Sequence, residues 1–77
     1  MVYILKLSTK IVGQKNVVSE TVCNDEDILR EELDNLMIDC KEEIHAAPND
    51  YEYFFIEVLE AERSGKERHL YAVTIKK

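Results

Sequence analysis

Four side chains in this sequence are of the kinds that bind a soft metal or attack an electrophile: Cys23, Cys40, His45 and His69. A zinc site draws Cys and His from short paired spacings, because neighbouring ligands must converge on one tetrahedral centre. No Cys-x-x-Cys is present, and the spacings of the four fit no such pattern. A cysteine nucleophile needs a base within hydrogen-bond reach, and no pattern here puts either His beside a thiol. Only two glycines occur, so there is no glycine-rich loop to cradle a phosphate. Carboxylates are abundant, which makes any single pair uninformative as an acid–base couple. The expectation is a non-enzymatic protein with no catalytic residue, no metal and no cofactor.

The chemistry that stands out is charge. The chain holds 16 acidic and 10 basic residues, for a net charge of −6. Between Asn24 and His45 there are nine acidic and two basic residues, so this segment carries −7 and the remainder sums to +1. Such an excess disfavours contact with phosphate backbones and anionic membranes. It favours encounter with a basic protein. The basic residues gather at two hairpin tips, Lys10 with Lys15 and Arg63 with Lys66 and Arg68. Without interleaved aromatics they make a poor nucleic-acid surface.

The acidic segment also has the strongest helix signal. Asn24 is expected as the N-cap, with Asp25, Glu26 and Asp27 in a first turn where the helix dipole favours anions. Cys23 and Ile28 are placed to form a weak hydrophobic staple. Leu29, Leu33, Leu36, Met37, Cys40, Ile44 and Ala47 recur at steps of three and four, a single apolar stripe. Pro48 disfavours the α conformation at Ala47, so the helix is expected from Asp25 to Ala46. Advancing ~100° per residue from the stripe places Asp27, Glu31, Asp34, Ile38, Glu42 and His45 on the outward face.

Strand signals flank this helix. Val2–Thr9 alternates, with Tyr3, Leu5 and Leu7 on one face. A turn is expected near Gly13-Gln14-Lys15-Asn16, either a two-residue loop at Gly13-Gln14 or a four-residue one. Lys15–Cys23 follows as a second strand, with Val18 and Val22 on one face and Val17, Ser19 and Thr21 on the other. Tyr51–Glu62 and Glu67–Lys76 form a second hairpin. A two-residue turn at Ser64-Gly65 pairs Phe54 with Ile75, Ile56 with Val73 and Val58 with Tyr71, all on one face. The fold class is therefore α+β in ββαββ order. One helix packs on a four-stranded, mostly antiparallel sheet, in a single domain covering residues 1–77. Leu33, Leu36 and Cys40 are expected to pack on Ile56, Val58 and Val73.

Two surfaces remain as candidates for function. The first is the acidic helix face of Asp27, Glu31, Asp34 and Glu42, where Glu31, Asp34 and Glu42 ring Ile38. Carboxylates stepped by three or four residues stand about 5–6 Å apart, similar to phosphates along a nucleic-acid strand. The second is the far face of the sheet, where Tyr51, Tyr53, Phe55, Leu59, Leu70 and Ala72 form an aromatic patch that one helix cannot also cover. Tyr53, Phe55, Leu59 and Leu70 are the candidate dimer face.

No transferable family motif is present. In size, charge and lack of catalytic groups, the chain resembles the small acidic proteins that phages and mobile elements use to block host enzymes. These include DNA mimics and anti-CRISPR inhibitors. That resemblance implies an inhibitor of a basic, nucleic-acid-handling protein, with Asp27, Glu31, Asp34, Ile38 and Glu42 as the partner-binding set. The alternative is a homodimeric structural or regulatory subunit using the sheet face, and a small enzyme comes third. The opening residues are apolar but broken by Lys6, too short for a signal peptide, and no run approaches ~20 apolar residues. A cytoplasmic protein with reduced thiols is expected.

Overall fold

A computed structural model describes residues 2–13 and 17–76. Strand β1 (Val2–Ile11) and β2 (Val17–Cys23) precede helix α1 (Glu26–Ala46), and β3 (Tyr51–Ala61) and β4 (Glu67–Lys76) follow it. The order ββαββ is the expected one. All pairings are antiparallel and the sheet order is β2-β1-β3-β4, so the two hairpins join through their first strands. Strands β2 and β3 both oppose β1 and thus run in the same direction. Helix α1 connects them by crossing β1.

Residues that pair across the strands share a face, which makes the sheet readable in rows. On the helix side the rows are Thr21-Leu5-Val58-Tyr71, Ser19-Leu7-Ile56-Val73 and Thr9-Phe54-Ile75. Alternation at the two-residue period supplies these side chains from every strand. Against them α1 sets Leu29, Leu33, Cys40 and Ile44, while Leu36 and Met37 are half-buried at the border. Ile56, Val58 and Cys23 are the most completely enclosed side chains.

The helix begins one residue later than the sequence suggests. Asp25, not Asn24, is the N-cap: its backbone is extended, and its Oδ1 accepts the Ile28 N–H at 2.9 Å. Both residue types cap well, so only the geometry separates them. With the cap shifted, Ile28 is exposed while Cys23 is buried, and the staple between them does not form. At the other end Ala46 is the last helical residue, as Pro48 requires. Ala47 N–H donates to Glu43 C=O and Asp50 N–H to Ala47 C=O, which turns the chain into β3. Val12 N–H donates to Asp50 C=O at 2.9 Å and ties the end of β1 to that turn.

The second hairpin meets the expected core pairs by a different route. The loop is not a two-residue turn. Gly65 N–H donates to Glu62 C=O and Glu62 N–H to Lys66 C=O, so Arg63, Ser64 and Gly65 form a three-residue loop. Gly65 takes φ +87°, the left-handed conformation such a loop needs at its last position. This loop alone would shift the register by one. A bulge at Leu70 shifts it back: Leu59 pairs with His69, and Val58 then pairs with Tyr71. Phe54–Ile75, Ile56–Val73 and Val58–Tyr71 are therefore restored. A second irregularity, between Lys10 and Ile11, sets Tyr51 opposite Ile11. In the first hairpin β2 starts at Val17, and Gly13 takes φ +76°. The rest of the expected turn, Gln14 to Asn16, lies outside the described residues.

Candidate functional site

The α1 stripe that buries Leu29, Leu33, Cys40 and Ile44 fixes the rotation of the helix, and that rotation fixes what faces outward. Asp27, Glu31, Asp34, Ile38 and Glu42 are all exposed, as the periodicity indicates. Ile38 keeps 53% of its surface in solvent. None of the four carboxylates makes an ion pair among the described residues. The one ion pair within the helix joins Arg30 to Glu26 at 2.9 Å, in the first turn. Acid-to-acid steps of three and four along Asp27, Glu31 and Asp34 mildly disfavour a helix, and Arg30, the cation at helical spacing from Asp27 and Asp34, is engaged by Glu26. His45 lies in the last turn, where a cation is favoured by the helix dipole.

The open face of the sheet differs from the expectation. Two residues assigned to it lie on the helix side: Tyr51 and Leu70 both pack against the helix-side core. The bulge at Leu70 and the irregularity beside Ile11 break the two-residue alternation and turn these side chains over. Tyr51 stacks obliquely on Phe54, with ring centroids 5.1 Å apart. The Glu43 carboxylate beside its phenol, and the hydrogen bond between them, push the Tyr51 pKa up.

What remains on the open face is divided. One row is Val22-Ile4-Leu59-His69, and another is Val18-Ser8-Phe55-Thr74. Between them runs Glu20-Lys6-Glu57-Ala72. Lys6 Nζ lies 3.7 Å from Glu20 and 3.8 Å from Glu67, and His69 Nε2 lies 3.6 Å from Glu57. This charged belt separates Leu59 from Tyr53 and Phe55, so the aromatic patch is not continuous. Ile4 and Leu59 are nonetheless buried, shielded by their neighbours on the same face with no covering layer. The sequence signal that was missed is the belt itself: Lys6, Glu20 and Glu57 occupy one row only when the sheet order is known.

The thiols and imidazoles do not converge. Cys23 and Cys40 are free and buried. Burial, aided by the Glu43 and Asp39 carboxylates, pushes the Cys40 thiol up to about 11. Burial likewise raises Cys23, with Glu32 and Asp25 adding to it. Both thiols are thereby held in the neutral form, opposite to the activation a nucleophile requires. An open cleft beside Cys40 is lined by Leu7, Ile11, Leu36, Glu43, Tyr51 and Phe54, with no imidazole. Among the described residues no group of three or more His, Cys, Asp or Glu is arranged to hold a metal ion. Among the described residues no helix is long and apolar enough to cross a membrane.

Set against known proteins, the chain matches no family, no curated protein and no solved structure.

Proposed function

We propose that this protein is a binding module that occupies a partner's surface with the outward face of α1, and that the partner is a basic, nucleic-acid-handling protein which it inhibits. The observation that carries this reading is the row of exposed carboxylates at Asp27, Glu31, Asp34 and Glu42, unpaired among the described residues, with the exposed Ile38 between Asp34 and Glu42. Carboxylates free of internal partners are available to a cationic surface. An exposed aliphatic group within such a row supplies the desolvated anchor that charge alone lacks. The role is that of a DNA mimic, in which acidic groups at phosphate-like spacing compete for a nucleic-acid groove.

The test has two parts. The protein is immobilised and used to capture partners from a cell lysate, and duplex DNA is then added as competitor. A captured protein that DNA displaces supports mimicry; one that DNA leaves in place overturns it. Binding kinetics with the captured protein then separate charge from anchor. Asp34→Asn with Glu42→Gln lowers the on-rate several-fold and flattens its salt dependence, because rim charges act mainly on encounter. Ile38→Ser raises the off-rate by about tenfold with little change in salt slope. Wild-type kinetics in both variants would leave the helix face as solvated surface only.

A further inference from the structure

The sheet ends in two edges, and they are built differently. Strand β4 carries Glu67, Arg68, His69 and Lys76 and is bent by the bulge at Leu70. Charges and bulges are the usual means by which an edge is kept from pairing with another chain. Among its described residues strand β2 has no bulge and a single charge. Its described pairing with β1 is regular from Tyr3–Cys23 to Thr9–Val17, and Glu20 is its one charged residue. Every residue from Val18 to Val22 is exposed, so α1 leaves this stretch uncovered, while Cys23 at the end of β2 joins the core. Val18 and Val22 keep 59% and 62% of their surface in solvent, on the open face. Among the described residues no strand lies on the outer side of β2, whose outward N–H and C=O groups are a template for an added strand.

We infer that β2 is a dimerisation edge, and that two copies of the chain pair β2 to β2′ antiparallel about an axis at Glu20, forming one eight-stranded sheet. The pattern of β2 selects a second copy over an unrelated strand. A two-fold axis at Glu20 places Val18 opposite Val22′, and Val22 opposite Val18′, on the same face. Both exposed valines of each copy then gain a cross-strand partner from the same pairing that satisfies the backbone. Cross-strand β-branched pairs of this kind are favourable in sheets. The two Glu20 carboxylates meet at the axis, but each arrives with Lys6 at 3.7 Å. The association also closes: because β4 is guarded, β2 has no complementary edge on which to propagate, and an isologous pair is the bounded solution.

This arrangement is independent of the outward face of α1. It leaves both helices on one side of the joint sheet with their acidic faces free. Salt therefore acts on the two contacts in opposite directions. It weakens capture of a basic partner, and it strengthens association of two chains that each carry −6.

Sedimentation from about 10 μM to about 1 mM should show a monomer–dimer equilibrium that shifts toward dimer with added salt. Val18→Lys should weaken it by about tenfold or more, because the axis counts each substitution twice. In a sample mixing isotope-labelled and unlabelled wild-type chains, intermolecular methyl contacts between Val18 and Val22 should appear. That measurement stands even if the variant fails to fold. A monomer throughout the concentration range overturns the proposal. So does a dimer without the Val18–Val22 contact, or one abolished by Phe55→Glu and untouched by Val18→Lys, which would place the interface on the open sheet face.

Discussion

The two faces of the sheet use the same strands and end in different physics. On the helix side Leu5, Phe54, Ile56 and Val58 are buried beneath a second layer supplied by α1. On the open side Ile4 and Leu59 reach nearly the same burial with no layer above them. Their shielding comes from side chains of adjacent strands, including Val22 and His69 in the same row. The first kind of burial is enclosed by packing on all sides. The second is a screen of surface side chains, which can rearrange or admit water. Low exposure is therefore not one quantity here, and substitutions should separate the two kinds.

The largest effect is expected where the enclosure is complete. Ile56 has no exposed surface. Ile56→Ala should cost about 2–5 kcal/mol, because the cavity it leaves lies between two layers and cannot collapse fully. That is much of the stability a small domain has, ~5–15 kcal/mol. Leu59→Ala removes a side chain of similar burial, yet should cost only about 1–2 kcal/mol, since solvent and neighbouring side chains fill an open-sided gap. Urea denaturation of both variants tests this. Equal losses would mean that the open face is held as rigidly as the covered one.

The covered side also has a pH signature. Cys40 has its thiol raised from 9.0 to about 11. A folded-state pKa above the unfolded value favours the protonated form in the fold. Its contribution is complete below pH ~9 and is lost as pH rises toward ~11, where the unfolded chain ionises first. Stability should fall across that window by about 1–3 kcal/mol. Cys40→Ala should flatten the fall, measured by denaturation at successive pH values. An identical pH dependence in this variant would remove the thiol as its source.

Which side chains land on which face depends on the second hairpin, and here the sequence was legible in its core and not at its end. Phe54, Ile56, Val58, Val73 and Ile75 could be aligned because an offset by one residue would turn apolar side chains to solvent. The helix rotation was legible for the same reason, since Leu29, Leu33, Cys40 and Ile44 leave one outward face. What could not be read were cancelling irregularities. The three-residue loop and the Leu70 bulge together conserve the pairs, so a pattern of pairs cannot reveal either one. Tyr51 and Leu70 were misplaced by strict alternation, and the Lys6–Glu20–Glu57 belt depends on β1 lying between β2 and β3. Gly65 gives access to this device. At φ +87° an added Cβ meets no atom within 4 Å, so the strain in Gly65→Ala is in the backbone alone. A loss of about 1 kcal/mol in thermal melts is expected. A neutral result would indicate that the loop can relax to another turn.

The smallest effect is expected on the outward face of α1, and its sign is the informative part. Asp34 and Glu42 are exposed and make no ion pair among the described residues. Glu31 stands three residues before Asp34, and Asp39 three residues before Glu42. At that spacing like charges are neighbours on the helix surface and repel by a few tenths of a kcal/mol per pair. Arg30 stands four residues before Asp34 but is held by Glu26 at 2.9 Å, so neutralising both with Asp34→Asn and Glu42→Gln should stabilise the fold slightly, by about 0.2–0.5 kcal/mol at low ionic strength. The gain should shrink as salt screens the repulsion over its ~8–10 Å range. Ile38→Ser should change stability little, because the side chain is already more than half in solvent. The charges on this face would then be a burden on the isolated fold, whereas Ile56 and its row sustain it. A loss of stability on neutralisation, growing at low salt, would mean instead that these carboxylates serve the fold, and their value as evidence for a partner would be gone.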